Sequence, residues 1–474
     1  MEEYDVIVIG GGAGGLTVAA GAASLGAHVA LIEKDINLGG DCLHVGCVPS
    51  KALISAANHV YEAKQTAASF GLSVSGGIDM KQIINHVHQA IAAIQEHDDD
   101  ERFTKLGIDV IHGTAAFQTK HEIKVGEQVI KGKKIVIATG SRPAVPDIEG
   151  LKDSRFLTNQ TVFHLDRLPE KLAVIGGGPI GVELAQAFSR LGSEVTIIER
   201  SSMLLSKEDD EIRELATDLL GKEMTILTEA SIESASAFED RKELVISQDG
   251  VLKTLEVNEI LLAAGRKPNS DKLNLNENGV ACDEKGFIKV NDSMQSSLSH
   301  IYAIGDVNGN NLFTHAAGME GKAVVQKAVL GLPNKVKYGH MPWVTYTSPE
   351  IFHLGLTENE AKEAHKEIQV FKAPLNEVDR FIADGATDGF VKIITNTGGT
   401  ILGAHAIGKG AGDWMQTVVF AKQNGKKIGD LSQMVYPYPN HAAAVQKTAD
   451  LYWREKLFSG ILPKLTEKWI KVKP

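Results

Sequence analysis

The sequence predicts an α/β fold that contains the same strand–turn–helix–strand unit twice. Two stretches carry this prediction, one beginning at Tyr4 and the other at Lys171, and each has an apolar strand followed by a glycine-rich turn. The length of 474 residues adds a third observation, because it corresponds to about three domains of ordinary size. Two of these domains are accounted for by the repeated unit.

The first copy reads YDVIVIGGGAGGLTVAAGAASLGAHVALIEK. Its glycines form a G-x-G-x-x-G pattern at Gly10, Gly12 and Gly15, and its second strand ends at Glu33. In such a unit the first glycine permits a tight turn, the second lets the backbone approach a pyrophosphate, and the third lets helix pack on strand. The helix N-terminus favours the phosphate charge, and the terminal carboxylate can accept hydrogen bonds from a ribose.

The second copy, KLAVIGGGPIGVELAQAFSRLGSEVTIIER, repeats the pattern at Gly176, Gly178 and Gly181 and ends at Glu199. The intervals from first glycine to glutamate, 10 to 33 and 176 to 199, are both 23 residues. One such motif is weak evidence, but two with matched spacing predict two Rossmann-like domains that bind two dinucleotides. A redox enzyme with two such sites most naturally pairs a flavin, FAD, with a nicotinamide.

Composition excludes several classes of function. The chain has 49 basic and 60 acidic side chains, a net charge of −11 and no basic run, so nucleic acid is not an expected partner. Its first residues are acidic where a secretory signal would be basic, and no apolar stretch is long enough to span a membrane. With three cysteines in all, no extracellular disulfide framework is expected. We therefore expect a soluble, cytoplasmic protein without membrane contact.

Two of the three cysteines, Cys42 and Cys47, lie together in GGDCLHVGCVPSKAL. They could be metal ligands, a structural staple or a redox pair. A closed zinc site needs about four Cys or His ligands, and only His44 is near, so no metal site is predicted. Residues five apart in a regular helix are roughly 8 to 9 Å apart, whereas a disulfide needs about 7 Å or less. The pair can bridge only if the helix is distorted there or begins near Cys47, whose position at a helix N-terminus would favour the thiolate.

At this point the chain resembles the class I flavoprotein disulfide reductases, which include dihydrolipoamide dehydrogenase, glutathione reductase and mercuric reductase. The resemblance covers nearly the whole chain. Besides GGDCLHVGCVPSK and the two glycine motifs, it rests on four stretches in the same order, namely ATGSRP, LLAAGRKPN, YAIGDVNG and YTSPEIFHLGLTENEAKE. The order and spacing together are far more specific than any one stretch.

The resemblance implies a role for each matching residue. Cys47 would be the thiol next to the flavin and Cys42 the thiol that exchanges with substrate, while Lys51 would lie near the flavin N5 and pair with Glu183. The other residues that the resemblance assigns to cofactor binding are Asp306 near the FAD ribityl and pyrophosphate, Thr139 and Gly140 against the FAD, and Gly265 and Arg266 at the end of the nicotinamide-domain sheet. His44 occupies a position where many relatives carry Asn, and it either touches substrate or faces its own helix.

The same resemblance implies the domain order. Residues 1–150 and 271–340 would form a split FAD domain, with a long helical excursion near Ile78 to Leu106. Residues 151–270 would form the NAD domain. Residues 341–474 would form an α+β dimerisation domain, so that a homodimer completes each active site across its subunits.

The C-terminal motif departs from the family. Thiol-specific relatives carry H-P-T-x-x-E, but YPYPNHAAAVQK aligns Tyr438 with the histidine and Ala443 with the glutamate. Tyrosine has an ordinary pKa near 10 and is a poor base at neutral pH. Tyrosine at this position resembles mercuric reductase, yet this chain lacks that enzyme's paired C-terminal cysteines and its N-terminal CxxC. His441 is an alternative base.

The resemblance implies a relay in which NADH reduces FAD, FAD reduces the Cys42–Cys47 disulfide, and the dithiol reduces a small-molecule or metal-ion acceptor. Glu199 favours NADH, although the neighbouring Arg200 leaves NADPH possible. We expect a mercuric reductase-like oxidoreductase, with dihydrolipoamide dehydrogenase as the alternative enzyme. A different class, a flavoprotein that senses NADH without much turnover, is also considered.

Overall fold

The computed structural model describes residues 2–459 and 462–472, which alternate between strands and helices in an α/β arrangement. The strands are β1 Glu2–Ile9, β2 Val29–Glu33, β3 Ile108–His112, β4 Ala115–Thr119, β5 Glu122–Val125, β6 Gln128–Ile137, β7 Ser141–Pro143, β8 Lys171–Ile175, β9 Glu194–Ile198, β10 Thr225–Leu227, β11 Ala230–Ala237, β12 Lys242–Gln248, β13 Val251–Val257, β14 Glu259–Leu262, β15 Arg266–Pro268, β16 Ile301–Ala303, β17 Pro342–Thr345, β18 Glu350–Gly355, β19 Ile368–Pro374, β20 Phe390–Asn396 and β21 Ile401–Gly408.

The helices are α1 Ala13–Ser24, α2 Gly40–His44, α3 Cys47–Ala67, α4 Met80–Gln95, α5 Asp100–Lys105, α6 Pro179–Leu191, α7 Asp210–Leu220, α8 Thr314–Ala328, α9 Glu358–Ala364, α10 Asp379–Ala383, α11 Ala411–Trp414, α12 Gln416–Gln423, α13 Ile428–Ser432, α14 Ala443–Phe458 and α15 Leu462–Val472. Among the described residues, none of these helices has the length and apolar character needed to cross a bilayer.

The chain divides into two compact units. The first contains the residues up to Arg200 together with Ala230–Lys337, and the second contains Ser201–Glu229 together with the chain from Tyr338 onward. Residues 201–229, which the sequence analysis placed in the NAD domain, are thus grouped with the C-terminal part. The three-domain division with its boundaries stays a prediction.

The largest sheet of the first unit has seven strands in the order β3-β2-β1-β6-β5-β4, with β16 also paired to β6. β1, β2, β3, β6 and β16 run parallel, and β4 and β5 form an antiparallel extension. The parallel strands read as continuous apolar runs because both faces are covered, and Val8, Leu31 and Val136 lie side by side with no exposed surface. This buried sheet fixes the turn that follows β1.

A second parallel set in the first unit, formed by β9, β8 and β14, holds the second glycine motif in the same way. The unit also contains an antiparallel sheet of β11, β12 and β13 and a short pairing of β7 with β15. α3 packs against both α4 and α6. The cysteine segment at the start of α3 is therefore anchored by helices on either side.

The second unit is built on an antiparallel sheet of five strands in the order β17-β18-β21-β20-β19. Its β18 and β21 are buried along nearly their whole length. Helices α11, α12, α13 and α14 cover one apolar core with this sheet, in which Phe352, Phe381, Met415 and Val445 are fully buried. The motif that departs from the family directly precedes α14.

Candidate active site

The first glycine motif forms a tight turn between β1 and α1. Gly10 has φ of +111°, a conformation that L side chains rarely adopt, and Gly12 caps α1. A Cβ on Gly15 would lie 1.8 Å from the Gly10 carbonyl oxygen, so only glycine allows the helix to pack this closely on the strand. The N-terminus of α1 therefore points its unpaired backbone N–H groups out of the turn.

The second motif has the same geometry. Gly176 has φ of +109°, and a Cβ on Gly181 would lie 2.0 Å from the Gly176 carbonyl oxygen. Gly178 caps α6, and a Cβ placed there would meet nothing within 4 Å. The site of the middle glycine is thus open, as expected where a pyrophosphate approaches the backbone. In the first motif a Cβ on Gly12 would likewise meet only the Gly40 Cα, at 3.9 Å.

The two terminal glutamates are held identically. Glu33 accepts a hydrogen bond of 2.7 Å from the Gly11 N–H, and Glu199 accepts one of 2.7 Å from the Gly177 N–H. Each carboxylate is therefore fixed against its own glycine turn, at the edge where a bound ribose would lie. Open middle glycines, helix N-termini and oriented carboxylates fit two dinucleotides, one at each motif.

The cysteines lie on two helices rather than one. Cys42 is in the short helix α2, and Cys47 is the first residue of α3, with Gly46 as its N-cap. A Cβ on Gly46 would lie 2.7 Å from the Asp41 carbonyl oxygen, so this glycine allows the break between the helices. Both cysteines are free thiols, and Cys282 is a third. The break places Cys47 at the positive end of α3.

The two thiols differ strongly in acidity. A hydrogen bond from Cys42 lowers the pKa of Cys47 to about 6, against the opposing effect of burial. The Thr314 hydroxyl, 3.3 Å from the Cys47 sulfur, lowers it further, as does the charge of Lys51. The same thiol–thiolate contact, reinforced by burial, raises the pKa of Cys42. Cys47 is thus the thiolate of the pair and Cys42 keeps its proton.

Lys51 and Glu183 form an ion pair between α3 and α6. Their Nζ and Oε2 atoms lie 2.8 Å apart, and the glutamate side chain is buried while the lysine is partly exposed. The Lys51 ammonium also donates to the Ser50 hydroxyl at 3.3 Å. A buried carboxylate thereby holds a cation one helical turn from Cys47. Nearby, His44 Nε2 donates to the Leu38 carbonyl at 2.9 Å, so that nitrogen faces its own loop.

Asp306 lies in a polar network near the end of β6. The Ser141 hydroxyl donates to its carboxylate at 2.5 Å, and the Arg266 Nε lies 3.4 Å from it. Burial raises the pKa of Asp306, although Ser141 and Arg266 oppose this. Arg266 also forms an ion pair with Asp41, next to Cys42.

Arg266 follows shortly after β14, the strand that pairs with β8, as expected for the end of the nicotinamide-domain sheet. The chain turns at Gly265, with φ of +125°, and Arg266 also pairs with Pro143 in β7. Its guanidinium thereby joins the Asp306 network, and its role toward a cofactor stays a prediction. The Gly265 carbonyl accepts a hydrogen bond of 2.9 Å from the Ala144 N–H, next to the pairing of β7 with β15.

Thr139 and Gly140 follow β6 directly. The Thr139 hydroxyl donates to the Asn269 carbonyl at 2.8 Å, and the Asn269 side chain returns a bond of 2.9 Å to the Thr139 carbonyl. Gly140 has φ of +68°, and a Cβ there would meet nothing within 4 Å. The backbone at this point is rigid, with open space beside it.

The C-terminal motif lies in the second unit. Tyr438 is 79% exposed, and its hydroxyl donates to Asp379 at 2.9 Å. This bond raises the pKa of Tyr438. His441 Nε2 lies 3.0 Å from Asp384 and the ring packs on Phe381. Ala443 begins α14 and supplies no carboxylate.

Three contributors were missed by the sequence analysis. Thr314 donates to Cys47 from a position 267 residues away, and Asp41 and Ser141 bind Arg266 and Asp306. Asp41 and Ser141 lie inside the quoted motifs GGDCLHVGC and ATGSRP and could have been noticed there. No local signal marks Thr314.

These features define a class of protein. The family model for pyridine nucleotide-disulphide oxidoreductases matches residues 4–321, and the model for the dimerisation domain of the same family matches residues 341–449. The chain belongs to this family of FAD-dependent enzymes, whose members use FAD and NAD(P)H, and the dimerisation domain supports a homodimer. The predicted family and α/β fold class are confirmed.

Two relatives and one solved structure give the degree of similarity to individual proteins. The chain is 33% identical to the mercuric reductase of Lysinibacillus sphaericus, over 94% of this chain and 82% of that protein. It is 34% identical to the mitochondrial dihydrolipoyl dehydrogenase of Pisum sativum, over 94% of this chain and 91% of that protein. Among solved structures it is similar to the Cu(II) complex of the HOCl-induced flavoprotein disulfide reductase RclA from Escherichia coli. That structure has a TM-score of 0.85 and 27% identity, covering 95% of this chain and all of the other.

Proposed function

We propose that this protein transfers electrons from NADH through FAD to the Cys42–Cys47 pair and from there to a metal ion or other small acceptor, in the manner of mercuric reductase. The observation that carries the proposal is the asymmetry of the pair, in which Cys47 has a pKa lowered to about 6 while that of Cys42 is raised. A structural thiol pair needs no such difference, whereas a redox pair needs one stabilised thiolate.

The dinucleotide-binding residues would form two separate cofactor sites, one at each glycine motif. The residues of the first motif would hold FAD, which would supply the chemistry of passing two electrons from a nicotinamide to the disulfide. Gly10, Gly12 and Gly15 would hold its pyrophosphate, and Asp306 would lie toward its ribityl chain. Lys51, oriented by Glu183, would place a positive charge beside the flavin ring and help to keep Cys47 as a thiolate.

With a disulfide as the acceptor, the two cysteines would act in two successive exchange steps. Cys42 loses its proton and attacks one sulfur of the acceptor, which forms a mixed disulfide and releases the other sulfur as a thiol. The Cys47 thiolate then attacks the Cys42 sulfur, which closes the Cys42–Cys47 disulfide and releases the second acceptor sulfur as a thiolate, which takes a proton from solvent. The acceptor gains the two electrons that the dithiol loses. The raised pKa of Cys42 makes its deprotonation the step that needs a base.

The C-terminal motif favours an acceptor that requires no strong base. The Tyr438 hydroxyl is tied to Asp379, and this bond raises its pKa further from neutrality. A phenol remains a hydrogen-bond donor and an oxygen ligand, both suited to a metal ion held by thiolates. We propose that Tyr438 of the partner subunit reaches the Cys42 side of the pair, which its 79% exposure in this chain permits.

One observation favours dihydrolipoamide dehydrogenase as a second candidate. His441 and Asp384 form a histidine–carboxylate pair at 3.0 Å, three residues beyond Tyr438. Such a pair fixes the orientation of the imidazole. His441→Ala would remove dihydrolipoamide oxidation if this pair serves as the base, and Tyr438→Phe would leave it unchanged.

The experiment that tests the proposal measures steady-state turnover of NADH against metal ions, quinones, disulfides and lipoamide. Reduction of the purified protein by two electrons should produce a long-wavelength charge-transfer band from the Cys47 thiolate. Cys47→Ser should abolish the band and Cys42→Ser should keep it. The reverse result would show that the two roles are exchanged, and absence of turnover with every acceptor would favour a sensor.

A further inference from the structure

A buried cluster of potential metal ligands lies in the second unit. Glu208, His353 and His405 are all buried, with 5%, 1% and 0% of their surface exposed. His353 on β18 and His405 on β21 are direct partners in the antiparallel register, and Glu208 lies just before α7. One carboxylate oxygen and one ring nitrogen from each histidine all lie within 4.8 Å of one another. None of these residues takes part in the proposed electron transfer.

The ring orientations are those of metal-bound histidines. His353 Nε2 donates to the Gly355 carbonyl at 2.8 Å, and His405 Nε2 donates to the Leu356 carbonyl at 2.9 Å. Histidines that bind metals usually donate their other ring nitrogen to a backbone carbonyl or carboxylate in this way. Both Nδ1 atoms are thereby left to face the cluster.

The Nδ1 atom of His405 is not accounted for by the ion pair between Glu208 and His353. This atom is buried and has no hydrogen-bond partner among residues 2–459 and 462–472. Because Nε2 donates to the Leu356 carbonyl, the Nδ1 atom of the neutral imidazole presents its lone pair to the cluster. A buried acceptor without a partner is costly, and a metal ion would satisfy it.

Glu208 is positioned by a second layer of contacts. Its Oε1 accepts from the Trp343 indole at 2.6 Å, and its Oε2 lies 3.0 Å from His353 Nδ1. The Trp343 ring also stacks on His353, with ring centroids 3.5 Å apart. Carboxylate and imidazole are therefore both held in one orientation.

We propose that Glu208, His353 and His405 bind a structural divalent metal ion, with Zn²⁺ the best match. Two imidazole nitrogens and one carboxylate oxygen are a common zinc ligand set. Zinc lies about 2.1 Å from each ligand atom. Two ligand atoms are then about 3.0 to 3.4 Å apart when the angle between them at the ion is from about 90° to tetrahedral. The distance of 3.0 Å between Glu208 Oε2 and His353 Nδ1 is in this range. A water would complete the coordination. Because all three ligands are buried, the ion would join β18, β21 and the start of α7 rather than meet substrate.

Binding would replace a hydrogen bond by metal coordination. In the metal-free arrangement the two ring nitrogens of His353 lie against oxygen atoms, Nδ1 against Glu208 and Nε2 against the Gly355 carbonyl. Zn²⁺ bound at Nδ1 takes the place of any proton shared between this nitrogen and Glu208, that proton leaves to solvent, and no electrons are transferred. The sequence analysis predicted no metal site, because the three ligands are far apart in the chain and have no ligand spacing.

The test must separate this site from the thiols, since Cys42 and Cys47 could also bind zinc. The full-length FAD-loaded protein with Cys42→Ser and Cys47→Ser is therefore used as the reference. Its zinc affinity is measured by competition with a chromophoric indicator, and its metal content by elemental analysis after gel filtration. We expect one Zn²⁺ per chain, and about 10- to 100-fold weaker binding or more when His405→Gln is added.

His28→Gln provides the matched control, because His28 lies in an exposed cluster with Glu2 and Asp109. It should leave the zinc affinity unchanged. Equal affinity in the His405→Gln and reference proteins, or no zinc at micromolar free ion, overturns the proposal. If His405→Gln does not fold, Co²⁺ is added to the reference protein. Absorption bands of Co²⁺ in a nitrogen and oxygen site, together with a rise in melting temperature, support the site, and their absence overturns it.

Discussion

Replacing Thr314 with valine should raise the pKa of the Cys47 thiol without removing any group that exchanges electrons. The Thr314 hydroxyl lies 3.3 Å from the Cys47 sulfur and is among the contacts that lower this pKa to about 6. A hydrogen bond to a charged group contributes about 1.5–3 kcal/mol. Because Cys47 is accessible to solvent, although its neighbours partly desolvate the sulfur, we take about half of this, which corresponds to about 0.5–1 pKa unit. At pH 7 the thiolate fraction would fall from about 90% to about 50–75%.

The assay follows the charge-transfer band of the FAD-loaded Cys42→Ser protein as a function of pH, since serine keeps a hydroxyl donor at position 42. Absorbance should appear with a midpoint near pH 6 as pH rises, and Thr314→Val should move the midpoint upward. Thr314→Ser keeps the hydroxyl and should retain the original midpoint. An unchanged midpoint in Thr314→Val, with Thr314→Ser also unchanged, would refute the role of the hydroxyl.

Three other predictions concern binding and turnover. Glu199 should repel a 2′-phosphate, so kcat/KM should be higher with NADH than with NADPH, and comparable values would contradict this. Dihydrolipoamide oxidation should be about 10²- to 10⁴-fold slower than in ordinary relatives. The double variant Tyr438→His, Ala443→Glu should restore part of this rate, while the rate of flavin reduction by NADH stays the same. Gly178→Ala, at a position with nothing within 4 Å, should fold normally but weaken NADH binding, whereas Gly181→Ala should lower the melting temperature, as thermal denaturation would show.

The elements near the dinucleotide motifs could be predicted from sequence because their signals are local. An apolar strand, three glycines and a terminal glutamate occur within the 30 residues from Tyr4 to Glu33, and the turn conformation at Gly10 follows from sterics alone. The break between α2 and α3 corresponds to one of the two alternatives predicted, because a bridge between Cys42 and Cys47 needs either a distorted helix or one that begins near Cys47.

Contacts between distant segments could not be predicted in this way. The contact of Arg266 with Asp306 and Asp41 was not predicted, because nothing in LLAAGRKPN shows that the chain turns at Gly265 to pair with β7. Thr314 contacts Cys47 because these two residues begin α8 and α3, whose first turns lie next to each other. The spacing of residues in the sequence does not indicate this contact. The same holds for Glu208 and His353, which lie 145 residues apart.

The bond from each glycine turn to its own glutamate has a consequence for how cofactor preference can change. Glu199 both faces the expected ribose and accepts the Gly177 N–H, so a substitution that admits a 2′-phosphate also removes an acceptor from the turn. A change of preference toward NADPH would therefore need two substitutions, one that accommodates the 2′-phosphate and one that gives the Gly177 N–H a new acceptor. A single replacement of Glu199 would change the ribose contact and the glycine turn together.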